Sequence, residues 1–358
     1  MQFLANRLSK PAHGQHCPHS PHWLGAPGRA VGRAVGLAVG LAVGLAVGLA
    51  VTAGTLQAQP YPNKAISMVV PFPPGGIADL TARVLGPVMG NLLGQSIVIE
   101  NRAGAGGAVG MAHLAKQKPD GHALMTALSS IVIIPASDQV TGRTPLYQMA
   151  DFTPIALLSA DPTILLVPAD SPWKTLDDLV KEARANPGKI SYSSSGTYGT
   201  THTAMEMLAQ AAGVKLLHVP YKGGGPAMTA VLANEVMLTV QSPGVANPHV
   251  KAGKVRVLGS WGAVRLPAIA DVPTMKELGY DVEFYIWAAL FAPAGLPPDV
   301  LAKVRGAARQ AMQDQRFRTG MAAMNTPINY LDGAEFDDFI AKDARRLGEV
   351  VRRMGKVE

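Results

Sequence analysis

The chain has 358 residues, enough for two domains, of which 48% are hydrophobic, 16% charged and 6% aromatic. This composition is typical of a globular α/β protein with a large aliphatic core and excludes a disordered chain. The formal net charge is +7, but the first 58 residues contain four bases and no acid, which leaves 28 bases against 25 acids, or +3. No dense lysine- and arginine-rich stripe is present, so nucleic acid is not expected as a partner.

The N-terminal residues have the pattern of an export signal. Arg29 and Arg33 precede a long uncharged stretch in which Gly-Leu-Ala-Val recurs, and Leu56–Ala58 ends it as an approximate cleavage site. Residues 1–58 are therefore predicted to be a signal peptide and leader. The apolar run is about as long as a membrane span, so an uncleaved anchor stays open as the alternative.

The only cysteine lies in this leader, among four histidines whose spacing resembles a metal site. These residues precede the apolar run and would be removed with it: His13, His16, Cys17, His19 and His22. The five histidines after residue 58 are scattered along the chain. We therefore predict neither a metal site nor a disulfide in the mature chain.

The mature chain begins with a strand, a glycine turn and a helix. The apolar run Ile66–Val70 predicts a buried strand, which ends at Pro71–Pro74 because proline cannot donate to a sheet ladder. Gly75-Gly76 predicts a tight turn, and the apolar spacing of Ile77–Leu93 predicts a helix. The unpaired N–H groups and positive dipole at such a helix start attract a carboxylate or phosphate. The alternative is an ordinary turn in which Asp79 caps the helix.

A glycine-rich loop follows the next predicted strand, Ser96–Glu100. Its glycines have the spacing G-x-G-x-x-x-G, one residue longer than the dinucleotide fingerprint (Gly104, Gly106, Gly110). The strand after it ends in Ser129-Ser130 and lacks the acid that would hold a ribose. No cofactor is therefore predicted.

The opening pattern returns about 120 residues after the first turn. Lys189–Tyr192 predicts a strand, Ser193–Thr201 a turn rich in glycine and hydroxyl groups, and Thr203–Ala212 a helix. Two such turns, each after a strand, indicate two lobes that face one shared ligand.

Strands and helices alternate through the rest of the chain. This alternation predicts parallel-rich sheets with right-handed crossovers. Further strands are predicted at 163–167, 216–219, 236–240, 255–260 and 282–291, and further helices at 175–185, 226–233, 298–324 and 333–354.

The sequence shows binding chemistry and little reaction chemistry, so an enzyme is not predicted. G-x-S-x-G, H-E-x-x-H and P-loop motifs are all missing from it. A hydrolase centred on Ser194 and His202 stays open as an alternative, although serine-rich turns more often supply hydrogen bonds.

Seven segments carry a family resemblance, and together they cover essentially all of residues 60–358. They are VPFPPGG with Asp79, NRAGAGG with Gly110, PDG at Pro119–Gly121, YSSSG at Tyr192–Gly196, HVPYKGGGPA at His218–Ala227, DVPT at Asp271–Thr274 and APAG at Ala292–Gly295. In order and spacing they resemble the extracytoplasmic solute receptors of tripartite tricarboxylate transporters, also called Bug receptors.

This resemblance implies a type II periplasmic binding protein, in which two α/β lobes joined by hinge strands close over a ligand cleft. Lobe 1 would comprise 60–162 plus 286–358, and lobe 2 would comprise 163–285. The implied partners are a small carboxylated solute and membrane permease subunits. The implied location is the periplasm, and we expect a monomer.

The resemblance also implies which residues line the cleft. Lobe 1 would contribute Phe72, Gly75, Gly76, Ile77, Ala78, Asp79, Ser129 and Ser130, and lobe 2 would contribute Ser194, Gly196, Thr197, Thr200, Thr201, His202 and Gln241. Trp287 matches a family tryptophan near the hinge, with a place in the core as its alternative. The alternative for His202 is that it only holds its loop.

Two departures from the family bear on the ligand. Ile77-Ala78 stands where the family often has Ser-Thr, so a less polar part of the solute would rest there. Met237 and Gln241 replace acids that are common in the family. The charge missing at Gln241 would disfavour an amine-bearing ligand and favour a carboxylate.

These observations lead to three hypotheses. The first is a periplasmic receptor that captures an organic carboxylate and delivers it to a membrane permease. The second is a binding module that passes its liganded state to a signalling partner without transport. The third is the hydrolase already mentioned.

Overall fold

A computed structural model describes residues 60–357, and the predicted leader lies outside these residues. The described residues form two sheets with helices packed against them. Between residues 60 and 357, no helix combines the length and the apolar character needed to cross a membrane.

The first sheet has six strands, and with its helices it forms the first lobe. They are β1 (Ile66–Val70), β2 (Ile97–Asn101), β3 (Ala123–Leu128), β4 (Phe152–Pro162), β10 (Tyr285–Pro293) and β11 (Ile328–Asp332). Their order across the sheet is β11-β4-β10-β3-β1-β2. β1 is parallel to β2 and β3, whereas β10 is antiparallel to β3 and β4.

The second sheet has five strands and forms the second lobe. They are β5 (Ile164–Pro168), β6 (Ser191–Ser194), β7 (Leu217–Pro220), β8 (Leu238–Gln241) and β9 (Val255–Ser260). Their order is β7-β6-β8-β5-β9. β6 is parallel to β7 and β8, and β5 is antiparallel to β8 and β9.

The chain passes between the sheets twice, and the two crossings are bonded to each other. Thr163 joins β4 to β5, and the return passes from Trp261 to Phe284 before β10 begins. The Thr163 amide donates to the Phe284 carbonyl at 3.2 Å, and the Trp261 amide donates to the Thr163 carbonyl at 2.9 Å. These paired crossing segments form the hinge between the lobes.

Ten α-helices lie in the described residues. They are α1 (Ile77–Leu93), α2 (Ala108–Ala115), α3 (Ser130–Thr141), α4 (Leu176–Ala185), α5 (Thr200–Ala212), α6 (Gly224–Leu232), α7 (Pro243–Lys251), α8 (Pro298–Ala311), α9 (Gln315–Ala323) and α10 (Gly333–Met354). Because α1, α5, α6 and α7 each follow a strand of their sheet, their N-termini lie at the strand ends that face the other lobe.

The predicted parallel pairing is confirmed around β1 and around β6, but the strands next to the hinge are antiparallel. The predictions also omitted α3, β4 and β11. β4 is apolar and buried on both faces for most of its length, so it lacks the alternation that marks a half-buried strand. The single helix predicted at 298–324 is two helices, because Asp314 caps the start of α9 by accepting from the Arg316 amide at 2.8 Å.

Candidate functional site

A closed cavity lies between the two sheets. Its free volume is about 20 Å³, enough for one water molecule, so the lobes must part before a larger solute can enter. In the described part of the chain, its lining contains no lysine, arginine or histidine. The lining residues are Phe72, Gly76, Ile77, Ala78, Leu128 and Ile286 from the first lobe and Ser195, Thr200, Thr201, Gly224, Gln241, Ser242 and Val245 from the second.

Four helices begin at this cavity. α1 follows Gly76 in the first lobe, and α5, α6 and α7 follow Gly199, Gly223 and Ser242 in the second; none of these N-cap residues bonds a side chain to its helix. Each helix start carries roughly half a positive charge and unpaired N–H donors. Four of them surround one small space, an arrangement that favours an anion without the help of a basic side chain.

Two of these helix starts, those of α1 and α5, were predicted from the sequence. The other two were not assigned to the site, although signals for them exist. Gly223–Gly225 follows a strand in the same way as Gly75-Gly76, and Ser242-Pro243 places a proline at the first helical position. The second lobe therefore contributes three of the four helix starts.

The turn before α1 is held by a buried carboxylate. Asp79 accepts hydrogen bonds from the Gly75 amide at 3.0 Å, the Arg83 guanidinium at 2.9 Å and the Asn101 amide at 2.9 Å. Burial alone would raise the pKa of Asp79, but the bonds from Arg83, Gly75 and Asn101 keep it below its usual value. Asn101 also donates to the Phe72 carbonyl at 2.9 Å. Asp79 and Gly75 thus shape the turn from outside the cavity lining. The Gly75 amide precedes the N-cap Gly76, so Asp79 holds the turn and does not cap an N–H group of α1, as the alternative interpretation had it.

The loop before α5 is held by hydroxyl groups. Thr201 Oγ1 accepts from the Ser195 amide at 2.7 Å and lies 3.1 Å from Ser195 Oγ, while Ser195 Oγ lies 3.4 Å from Thr200 Oγ1. All three side chains line the cavity. Thr200 and Thr201 are in the predicted set, whereas Ser195 was omitted in favour of its neighbour Ser194.

Ser194 and His202 do not form the pair that the hydrolase hypothesis requires. Ser194 Oγ lies 2.6 Å from His218 Nε2, and His202 Nδ1 accepts from the Tyr198 amide at 2.9 Å. The rings of His202 and His218 are stacked with centroids 3.9 Å apart. His202 therefore holds its loop, as its alternative interpretation stated, and neither residue lines the cavity.

This histidine pair predicts a loss of stability in mild acid. Burial, aided for His202 by the neighbouring His218, lowers the pKa of His202 to about 3, and burial lowers that of His218 to about 4. Unfolded histidine titrates near pH 6.5, so below that pH the unfolded chain binds protons at these two positions and the folded chain does not. We expect the unfolding free energy to fall between pH 6.5 and 5 by up to about 1.4 kcal/mol per pH unit for each histidine.

Urea denaturation at pH 7, 6 and 5 measures this slope. A His202→Gln variant removes one of the two groups, so its slope should be smaller than that of the parent chain by up to about 1.4 kcal/mol per pH unit over the same range. Equal slopes in the two proteins would contradict the assignment.

Ser129 and Ser130 come directly after the lining residue Leu128 but are not in the lining themselves. Both side chains are fully buried, and neither hydroxyl has a hydrogen-bond partner within the described protein. The Ser242 hydroxyl at the start of α7 is likewise buried and unpartnered. Of these three residues, Ser242 lines the cavity.

Three further predicted residues lie elsewhere. Gly196 and Thr197 line a groove between the lobes that also contains Gly106 of the first lobe. Trp287 points to the opposite face of β10, where its indole donates to Asp343 at 2.7 Å. Because successive residues of a strand face opposite sides, Ile286 lines the cavity in its place. The predicted residues that do line it are Phe72, Gly76, Ile77, Ala78, Thr200, Thr201 and Gln241.

Two α/β lobes, paired hinge crossings and a cavity between the lobes define a solute receptor of the periplasmic-binding-protein class. The family model described as "Tripartite tricarboxylate transporter family receptor" matches residues 81–356, so the chain belongs to this receptor family. The predicted family, the two-lobed α/β fold and the prediction of a receptor rather than an enzyme are thereby confirmed.

Relatives of known name and structure agree with this assignment. BugT of Bordetella pertussis is 30% identical over 85% of this chain and 93% of its own. The solved structure of the periplasmic binding protein BugD has 30% identity and a TM-score of 0.77, covering 82% of this chain and 99% of BugD.

Two similar structures were solved with a carboxylate. MatC from Rhodopseudomonas palustris, with bound malate, has 27% identity and a TM-score of 0.75, covering 81% of this chain and 100% of MatC. The R. palustris protein Rpa4515, with adipate, has 26% identity and a TM-score of 0.77, covering 82% of this chain and 97% of its own.

Proposed function

We propose that this protein is a periplasmic receptor that captures a small organic carboxylate and delivers it to a tripartite tricarboxylate-type permease. The observation that carries the proposal is the convergence of four uncapped helix starts on one cavity. The proposal includes export by the N-terminal signal, a monomeric receptor, and a first lobe of 60–162 plus 286–358 closing on a second lobe of 163–285.

Charge-assisted hydrogen bonds provide the binding energy. Backbone N–H groups at the start of α1 would hold a carboxylate from one side, and the starts of α5, α6 and α7 would hold it from the other. Such bonds contribute roughly 1.5–3 kcal/mol each, so a few of them offset the desolvation of the anion. The Ser129, Ser130 and Ser242 hydroxyls are further available donors.

The size of the cavity connects binding to closure. At about 20 Å³ it cannot admit a carboxylate while the lobes are in contact, so the solute enters an open form. A ligand held by helix starts of both lobes binds the closed form better than the open one and shifts the population towards closure. The permease would then recognise the closed, loaded receptor.

Relatives support the ligand class. The ligands in the structures of MatC and Rpa4515, malate and adipate, are both dicarboxylates. The four helix starts together supply about two positive charges, which suits one or two carboxylate groups.

Isothermal titration calorimetry with a carboxylate panel tests the binding part. The panel contains propionate, succinate, malate and adipate, and each is matched with its neutral amide. We expect at least one carboxylate to bind and its amide not to bind, because the helix starts select for negative charge. Equal binding of acid and amide, or no binding across a broad panel, would contradict the proposal.

Uptake by cells tests the transport part. Deletion of the gene should abolish uptake of the radiolabelled solute identified by calorimetry, and restoration of the parent gene should recover it. Unchanged uptake together with a lost transcriptional response to the solute would instead support the signalling hypothesis.

A further inference from the structure

One buried acid near the cavity has no role in the contacts described so far. Asp161, the penultimate residue of β4, is fully buried, and neither oxygen of its carboxyl group has a hydrogen-bond partner within the described protein. The hydroxyl of Ser159, two residues earlier, is also buried and unpartnered. Buried polar groups are nearly always paired, so a group left unpaired beside a binding cavity calls for a functional explanation.

The strand register places Asp161 on the face of the sheet that bounds the cavity. Asp161 lies directly opposite Ile286 of β10 in an antiparallel pair, and paired residues project from the same face. Ile286 lines the cavity. The next pair, Ala160 and Trp287, lines a groove on the opposite side of the sheet, as the alternation requires.

Further polar groups lie on this face. Ser159 of β4 pairs with Ala288 of β10, and Ala288 pairs on its other side with the lining residue Leu128 of β3. Ser129 and Ser130 follow Leu128 in the chain. The unpartnered oxygens of Ser129, Ser130, Ser159 and Asp161 can all accept hydrogen bonds. These four residues are not in the lining itself; they form an acceptor-rich wall next to the lining residues Leu128 and Ile286.

The negative charge that Asp161 could carry indicates which ligand group this wall would bind. A buried carboxyl group without a partner is costly to ionise, and burial raises the pKa of Asp161 well above its usual range. No cationic side chain lines the cavity among the described residues, so the protein does not provide a counter-charge there. A ligand that brings its own positive charge would let Asp161 ionise and would supply hydrogen atoms to both of its oxygens.

We propose that Asp161 is a specificity-determining residue that accepts a protonated amine, so that the solute is a carboxylate that also carries an amino group. This inference rests on the receptor function proposed above. The carboxylate binds at the helix starts, and the ammonium group binds at Asp161, with the Ser129, Ser130 and Ser159 hydroxyls as further acceptors. On binding, the Asp161 carboxyl group releases its proton to the solvent. The expectation drawn from Gln241, that an amine is disfavoured, is revised because Asp161 supplies the acid from the other lobe.

Calorimetry of the purified protein with matched ligand pairs tests the inference. The pairs differ by one amine: succinate and aspartate, glutarate and glutamate, butyrate and 4-aminobutyrate. In the pair that fits best, we expect the amine-bearing member to bind at least about tenfold more tightly, as for a hydrogen-bonded charged group. Titration in two buffers of different ionisation enthalpy should show a proton released with that member.

The Asp161→Asn variant keeps the shape of the side chain and removes its charge. We expect it to lose the preference and the proton release, while the affinity for the amine-free member stays within about threefold. Asp161→Ser serves the same purpose if the asparagine variant folds poorly. Asp138→Asn is the matched control, because Asp138 is a buried acid in the groove between the lobes and should leave the preference unchanged.

The outcomes separate this inference from the proposed function. Equal or tighter binding of the amine-free members, or a preference that survives Asp161→Asn, overturns the role of Asp161 and leaves a carboxylate receptor. If neither these pairs nor the broader carboxylate panel bind, the receptor function itself is overturned, and the inference falls with it.

Discussion

Gly76→Asp should abolish solute binding while leaving the protein as stable as the parent chain. Gly76 is the N-cap of α1, with φ −85° and ψ 165°, a conformation in which aspartate is favoured. Its new carboxylate would accept the α1 N–H groups that the solute needs and would place a negative charge beside the bound anion. Like charges in close contact cost several kcal/mol, so we expect an affinity loss of at least about 100-fold.

The control is Gly76→Ala at the same position. The nearest atoms to an added Cβ are 3.9–4.0 Å away, so alanine fits without displacing its neighbours. It should bind the solute within a fewfold of the parent, because the α1 N–H groups stay free. Calorimetry measures the affinities, and thermal unfolding confirms that both variants fold. Undiminished binding by Gly76→Asp would show that the start of α1 does not bind the solute.

Gly225→Val should prevent the lobes from closing. Gly225 lies in the first turn of α6, and a Cβ there would be 3.1 Å from the Pro74 carbonyl oxygen and 3.5 Å from the Gly75 carbonyl carbon, both on the first lobe. These are backbone atoms that cannot rotate away. Overpacking of this kind costs roughly 1–3 kcal/mol. Because the contact exists only when the lobes are together, it would destabilise the closed form and leave the open form unaffected. We expect solute affinity to fall about tenfold or more.

Gly306→Val provides a matched comparison. Gly306 also lies within a helix, α8, but an added Cβ there has no atom within 4 Å. Both variants replace a helical glycine by valine and so change the intrinsic helix propensity in the same direction, which leaves the contact between the lobes as the difference between them. Small-angle X-ray scattering should show a smaller radius of gyration on addition of solute for the parent and for Gly306→Val, and no change for Gly225→Val. Closure by Gly225→Val would contradict the close packing described here.

The local elements around the first helix start could be predicted from the sequence. The strand Ile66–Val70 and the helix Ile77–Leu93 have the predicted bounds, because the prolines that end the strand and the glycines that form the turn act within a few residues. The start of α5 was predicted within three residues for the same reason. Neighbouring residues suffice to decide such features.

Whether a predicted binding residue lines the cavity depends on the range of the interactions that place it. Phe72, Gly76 and Thr200 line the cavity because they lie at a helix start that the sequence already marks. Trp287 faces away from it, and Ile286 faces towards it. β10 is apolar and buried on both faces, so its sequence has no alternation from which to choose the side.

What the sequence by itself determined is a pair of strand-turn-helix units able to attract an anion, in an α/β chain of a recognisable receptor family. Only the tertiary structure decided that four such helix starts meet, that Asp79 and His202 hold loops instead of lining the cavity, and that Asp161 lies beside it. The meeting of the helix starts and the place of Asp161 depend on the packing of strands that are distant in the chain, such as the pairing of Asp161 with Ile286. Asp79 and His202 bond to residues four positions away, but only the folded turns show that both side chains stay outside the cavity lining. No local sequence pattern identifies the distant strand that will pair with a given strand.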